Sequence, residues 1–552
     1  MKTAAALLAC ALALAACVNG AQPASTRPTS APAPSVAPAP PPPTLAVAIR
    51  DAVHLGPADG ATTVSLSFGL KVRQADRLAA LIAAGKTVTP AEYAAEFGLD
   101  PAQVQGAVNA LDQAGFHASW RPGSSLIAAD GSAPVAATLL GIDIESYRLA
   151  DGTTFYASLD EPHLPLTLAV VASSVSGLDN YRRARTFAVR PGGLTPNDVL
   201  AYYNLKPLRD AGLDGTGQTI VLPEIDDLPN LNDLNKFASE YNLPPYDPLL
   251  VVKRDPSWGV PGKPQGETAL DLEIIHEVAP NAKLVIYLSA ADFGHGDRAF
   301  DQMVTDHLGS IISESLGACE PDTSDGHRNA YASIEDRAVA VGMSHFVATG
   351  DNGAYTCGED QAPAGSFPST LPTVTAVGGT TVFESQQGIY FKETAWGSPI
   401  DESGTGGGAS QFYPLPDYQK PIGAAAGHGL RQVPDVAADA DPSSGFHIVF
   451  GGREGQAGGT SASTPLWAAT VALINQDLVK KGLHEVGFAN PALYWMGQNE
   501  AKLPAKPFHD VTGGNNLVYD AGTGWDFATG WGSMDGVALD AAWVTYIKGG
   551  GA

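Results

Sequence analysis

Between residues 219 and 349 the chain lays down four short apolar runs separated by stretches of helical character. They are Thr219-Ile220-Val221-Leu222-Pro223, Ala282-Lys283-Leu284-Val285-Ile286-Tyr287, Ser310-Ile311-Ile312-Ser313 and His345-Phe346-Val347-Ala348-Thr349. Runs this short, rich in branched residues, suit strands buried on both faces. Parallel neighbours need a crossover, and the helical stretches supply it while covering the sheet. The expected fold over residues 195–548 is α/β, a parallel sheet with helices on both faces. Residues that do chemistry should then sit where the strands end.

Residues 46–185 read as a separate α+β unit. Val64 to Leu70 alternates like a strand; Gln74 to Ala84 and Pro101 to Ala114 read as helices. Thr89-Pro90-Ala91-Glu92 opens another helix, with Thr89 as cap and Pro90 at its first position. Strands are expected at Ser125–Ala128 and Thr154–Ala157, and no catalytic constellation stands out. Arg182-Arg183-Ala184-Arg185 leads into a connection at 186–194 that contains Pro191-Gly192-Gly193 and reads as exposed and cleavable.

The N-terminus reads as an export signal. Met1-Lys2 precedes an Ala/Leu run to Ala16, too short to span a bilayer comfortably. Leu14-Ala15-Ala16-Cys17 resembles a bacterial lipoprotein processing box, which makes 1–17 the signal and Cys17 the acylated residue. Ordinary cleavage nearby is the alternative. Residues 18–45, mostly Pro, Ala, Ser and Thr, form a stiff spacer. The chain is expected outside the cytoplasm, on the bacterial envelope or extracellular, touching a membrane only through the lipid. Fifty-eight acidic against 32 basic residues, net -26, argue against nucleic-acid binding. With Cys10 and Cys17 in the signal region, Cys319 and Cys357 remain, and an exported chain is expected to join them.

Three local patterns carry candidate chemistry. Gly458-Gly459-Thr460-Ser461-Ala462-Ser463 runs into an apolar helix, so a serine is presented where free N–H groups favour developing negative charge. Ser461 or Ser463 as a mere cap is the bland alternative. Glu267 and Asp271, four apart in a helix ended by Pro280, share a face. Spacing alone most often means a solvated face, and Glu273, His276 and Glu277 of that helix read as surface residues. Asp351, in Gly350-Asp351-Asn352-Gly353, follows a strand and reads as a turn aspartate unless a charge centre lies near.

In order and spacing, these pieces resemble the sedolisins, serine-carboxyl peptidases of subtilisin-like fold. The likeness includes Glu267-x-x-Leu270-Asp271, Ser313-Glu314-Ser315-Leu316-Gly317, Gly350-Asp351-Asn352-Gly353 and Phe367-Pro368-Ser369. It continues through Val374 to Thr380, the glycines at 406–408, Gly459-Thr460-Ser461-Ala462-Ser463, Phe508-His509-Asp510-Val511-Thr512 and Gly530-Trp531-Gly532. The resemblance implies that 46–185 is an activation propeptide, acting as inhibitor and chaperone of a self-activating proenzyme. It implies Ser461 as nucleophile, Glu267 as general base and then acid, Asp271 as its orienting partner, and Asp351 as hydrogen-bond donor to the oxyanion. Ser313, Ser315 and Gly317 would flank a cleft where a protein or peptide substrate pairs as an added strand. One Ca²⁺ is implied, held by the side chains of Asp510 and Asp526 and the carbonyls of Val511, Gly522 and Gly524; all-oxygen ligation suits it.

Physical chemistry favours this set in acid. At about pH 4 a histidine of pKa about 6.5 is almost wholly protonated, whereas a glutamate of about 4.3 is still about a third ionised. The oxyanion donor must be a protonated carboxyl, since a carboxylate only accepts. Two other readings stand. One is a histidine-using subtilisin-type enzyme with Asp226, His295 and Ser461, although His295 is expected to follow a strand without the helical run such a histidine needs. The other is an inactive, lipid-anchored binding or scaffold protein on a peptidase fold. Side-chain preference, and endopeptidase against tripeptidyl release, are left open.

Overall fold

The computed structural model describes residues 45–150, 152–181, 189–190, 193–358, 362–384, 390–400, 402–423 and 427–550. Cys17 and the arginines at 182, 183 and 185 lie outside the described residues.

The central sheet contains β1 (Thr219–Glu224), β2 (Leu250–Lys253), β3 (Lys283–Leu288), β4 (Ile311–Glu314), β5 (Ser344–Ala348), β6 (Thr375–Glu384), β7 (Tyr390–Ala395) and β8 (Val436–Asp439). Spatial order is β2-β3-β1-β4-β5-β6, all parallel. Along β6, the middle also pairs in parallel with β8 and the far end pairs antiparallel with β7. Register explains the two-sided burial. Ile220 and Leu222 lie opposite Leu284 and Ile286 and face one core, while Val221 lies opposite Val285 and faces the other. That period of two is the strand pleat read on both faces.

Four helices matter for the site: α1 (Glu267–Val278), α2 (Phe293–Asp306), α3 (Asp325–Ala340) and α4 (Thr460–Lys480). Residues of α1 and α4 belong to the first core, where Trp467, Leu473 and Ile274 are essentially solvent-free. Residues of α2 and α3 belong to the second, with Phe300, Met303 and Ile334. Each such side chain contributes about 1.5–3 kcal/mol by leaving water. The parallel arrangement brings the ends of β1, β4 and β5 to one edge of the sheet, and α4 starts there.

The N-terminal unit has a four-stranded antiparallel sheet ordered His117–Ser119, Leu126–Ser132, Thr63–Leu70, Ala172–Ser176, with helices at Ala75–Ala83, Pro90–Glu96, Pro101–Ala114 and Ala133–Leu140. Thr89 caps its helix as expected, accepting from Glu92 N (3.2 Å) while the Glu92 carboxylate accepts from Thr89 N (2.8 Å). Thr63–Leu70 departs from the expected alternation: every residue after Thr63 is buried. The reason is tertiary, because one face covers the unit's own core and the other lies on α2 and α3. The backbones meet closely there. A Cβ on Gly326 would lie 1.8 Å from the Val175 carbonyl oxygen, so only glycine fits. Polar bonds seal the seam: Arg298 donates to the Leu66 carbonyl (2.9 Å) and pairs with Asp130 (2.9 Å), and Asp301 accepts from Ser125 N (2.8 Å).

Cys319 and Cys357 are joined as a disulfide, with Cα atoms 4.9 Å apart. The bond ties the segment after β4 to the loop after β5, the two segments that flank Ser461.

Candidate active site

Ser461 lies in the first turn of α4 and is fully buried. Its approach needs Gly459: φ is +108°, and a Cβ there would meet the Asp351 carboxylate at 2.5 Å. The Ser461 hydroxyl donates to the Ser315 carbonyl (3.4 Å). Ser315, just beyond β4, donates its own hydroxyl to Asp271 Oδ1 (2.9 Å) and lies 3.2 Å from the Ser461 carbonyl. One side chain therefore links the serine segment to the acidic helix. Ser463, the alternative serine, donates to the Thr460 carbonyl inside the helix (2.9 Å).

On α1, Glu267 and Asp271 are each only 1% exposed, so the solvated-face reading fails. Glu273, His276 and Glu277 are buried too, which corrects their expected surface position. The helix is enclosed by α4, by the helices Pro196–Tyr202 and Leu231–Glu240, and by the strand Phe446–Phe450. Glu273 accepts from Val449 N (2.8 Å), and His276 donates from Nε2 to the Pro244 carbonyl (2.7 Å) while packing on Tyr246. Burial pushes the Glu273 and Glu277 carboxyls well above their ordinary range and the His276 imidazole down to about 4, so all three favour neutral forms.

Glu224 joins this group, and the sequence reading missed it. It ends β1, is 1% exposed, and accepts from the Thr268 hydroxyl (3.2 Å). Burial raises the Asp271 and Glu224 pKa values far above ordinary, reinforced by repulsion from Glu267 on both and from Glu224 on Asp271. Two acids that close share a proton. Its position at the end of a buried parallel strand was the available signal.

Asp351 follows β5 and meets the residue before the serine. Its Oδ1 accepts from Thr460 N (2.7 Å) and from the Thr460 hydroxyl (2.9 Å). The other oxygen carries no hydrogen bond among the described residues. Burial raises this carboxyl to about 6, partly offset by the bonds from Thr460. A carboxyl that keeps its proton well above pH 4 can donate.

His295 is corrected in one respect: it lies in the first turn of α2, a helix, not in an isolated post-strand loop. Its ring faces Asp292 (Nδ1 to Oδ2, 2.8 Å) and Ser65 of the N-terminal unit (Nε2, 3.3 Å). Among the described residues no imidazole is bonded to Ser461, so the histidine-using arrangement is absent there. Asp510 and Asp526 converge on the turn at 522–524, accepting from Gly524 N (3.1 Å) and Gly522 N (2.8 Å).

Residues 50–181 match the model of the pro-kumamolisin activation domain, and residues 261–532 match that of the subtilase family. The chain is 31% identical to kumamolisin of Bacillus sp. (strain MN-32), over 88% of this chain and 93% of that protein. The chain belongs to the sedolisin family. It is likewise 30% identical to sedolisin of Pseudomonas sp. (strain 101), over 92% of this chain and 90% of the relative. A solved structure of Pseudomonas sedolisin, a serine-carboxyl proteinase complexed with two molecules of pseudo-iodotyrostatin, superposes with a TM-score of 0.56 at 30% identity. It covers 65% of this chain and 99% of that one. The family gives the fold its name, a subtilisin-like sheet preceded by a prodomain, and makes this chain a serine peptidase of the serine-carboxyl type made with an activation domain.

Proposed function

We propose that the chain hydrolyses peptide bonds in acid through an acyl-enzyme, after removing its own prodomain. The observation that carries this reading is the Ser315 hydroxyl, which joins the buried Asp271 to the segment of Ser461. Glu267 takes the Ser461 proton as the hydroxyl attacks the substrate carbonyl, then returns it to the leaving amine. Asp271, with Glu224 behind it, orients Glu267 and holds the extra proton that so many adjacent acids require. Asp351 donates to the oxygen on which charge develops, from a site with no reorganisation to make. Water then releases the acyl group by the same steps in reverse.

Asp351 sets the direction of the pH dependence. It donates only while protonated, so hydrolysis should be present in acid and fall as pH rises through about 6. The check is cleavage of a fluorogenic peptide mixture from pH 3 to 8 after incubation at about pH 4, with N-terminal sequencing to locate processing near 186–194. Activity greatest at pH 8, or full activity of a chain that keeps residues 46–185, would sink the reading.

Calcium belongs to the same proposal. Asp510 and Asp526 face one turn, and Gly524, at φ +77°, gives it the curvature that lets carbonyls converge. Two carboxylates with the carbonyls of Val511, Gly522 and Gly524 make a hard, all-oxygen donor set that fits Ca²⁺. The ion would brace the turn against the strand end at Phe508–His509. Removing it with a chelator should lower the melting temperature by about 5–10 °C, reversed by calcium and not by magnesium; an unchanged melt would remove calcium from the account. Export with an acyl chain on Cys17 is likewise proposed, from Leu14-Ala15-Ala16-Cys17; the intact mass of the exported chain decides it.

A further inference from the structure

We propose that the cleft beside Leu316 and Gly317 is a substrate side-chain subsite selective for lysine and arginine, with Glu314 as its specificity-determining residue. This rests on the peptidase reading above. Leu316 and Gly317 line the cleft. They follow directly on Ser315, whose carbonyl accepts from the Ser461 hydroxyl (3.4 Å). A peptide paired along this strand end sends alternate side chains to one side, and the cleft stands there to receive one.

Its walls include Phe293, Phe300, Leu316 and Phe367, and three carboxylates interrupt them. Two are each paired with a histidine: Asp292 with His295 (2.8 Å) and Asp297 with His327 (2.9 Å). Glu314 differs. It is 5% exposed, and both its partners hold the same oxygen: the Tyr331 hydroxyl donates to Oε2, and His345 Nε2 lies 3.1 Å from it. Oε1 carries no hydrogen bond among the described residues. His345 is shared with Glu335 (Nδ1, 2.7 Å), so one imidazole serves two carboxyl groups. Burial opposes charge on His345, but Glu335 and Glu314 overcome it and hold the imidazole up at about 9.

A carboxylate pinned through one oxygen, with the other free and apolar walls around it, suits a long aliphatic stem ending in a cation. A purely apolar side chain would cover Oε1 without bonding it. Ser176 of the prodomain donates to Asp297 (2.9 Å), so the prodomain occupies this wall until it leaves.

The test is a positional-scanning peptide library cleaved by the acid-activated chain. One substrate position should favour lysine or arginine over leucine by about tenfold or more. Glu314→Gln should bring that ratio to about one, Glu314→Asp should keep its sign at reduced size, and Glu314→Lys should turn the preference toward acidic side chains. If Glu314→Gln does not fold, the wild-type scan and Glu314→Asp still decide. A wild-type scan with no basic preference at any position overturns the proposal, as does an unchanged ratio in Glu314→Gln. Cleavage without basic preference sinks the subsite alone, whereas no cleavage of any peptide sinks the peptidase reading with it.

Discussion

Ser461→Ala should abolish peptide hydrolysis and self-processing together, with kcat falling by about 10⁵–10⁶. The expectation is local and specific. Ser461 opens α4 beside Asp351 and the Ser315 linkage, and its hydroxyl makes one long bond, to a carbonyl (3.4 Å). Removing that oxygen costs the fold little, so the full-length protein should accumulate unprocessed with an unchanged melting temperature. Ser463→Ala provides the contrast. Its hydroxyl is spent on the Thr460 carbonyl three residues back (2.9 Å), a bond that helices do without. It should keep activity within about threefold, in line with an ordinary buried substitution. Glu267→Gln should resemble Ser461→Ala, with a loss of about 10⁴, because an amide accepts no proton in this range. A Ser461→Ala protein that still trims its prodomain in purified form, or a Ser463→Ala protein that is equally dead, would move the nucleophile elsewhere.

The sheet was legible because its strands are apolar on both faces, a pattern few other elements produce. All four runs that opened the sequence reading appear as neighbours in one parallel sheet, with ends shifted by a residue or so. The prodomain helix at Pro90 was legible through its Thr89-Pro90 start, and the one at Pro101–Ala114 is bounded in the structure by an Asp100 cap and Gly115. What misled was polarity on a buried element. Glu273, His276 and Glu277 carry the signature of a solvated helix face, yet α1 is enclosed on every side. No local rule separates a solvated acid from one buried in its neutral form, because the difference lies in other elements that enclose the helix, such as the strand whose Val449 amide, 176 positions on, bonds Glu273. Glu224 escaped notice for the same reason: its partners Asp271 and Thr268 lie on another element, over 40 residues on. His295 was misplaced because Gly294 and Gly296 flank it and glycine is read as a helix breaker; the Asp292 cap, which accepts from His295 N, outweighs them.

The buried acids predict that the protein is held together by acid and loosened by alkali. Glu393 is 3% exposed and bonded by Ser533, Thr380 (3.1 Å) and Tyr203 (3.3 Å); burial raises it to about 7, against those bonds. Asp439, Glu273 and Glu277 are fully buried and are pushed up further in the same direction. A carboxyl whose folded pKa exceeds its unfolded value binds more protons in the native state. Its contribution is therefore full below about pH 4 and is lost as pH rises through the folded value. For Glu393 the displacement from 4.5 to about 7 corresponds to about 3 kcal/mol lost above neutrality, a large share of a normal folding free energy. Carboxylates shifted the other way, such as Asp292 beside His295, oppose this in strong acid, but they are fewer and less deeply enclosed. Thermal melts of the Ser461→Ala protein, which cannot digest itself, should show a midpoint at least 10 °C lower at pH 8 than at about pH 4.5. Glu393→Gln, which keeps the shape and removes the titration, should flatten that difference by roughly the Glu393 share. General repulsion within a chain of net charge -26 would also weaken the fold at high pH, but added salt would relieve it and Glu393→Gln would not. A midpoint that rises toward pH 8, or a pH slope that salt removes entirely, would mean that these carboxyls are not what ties the fold to acid.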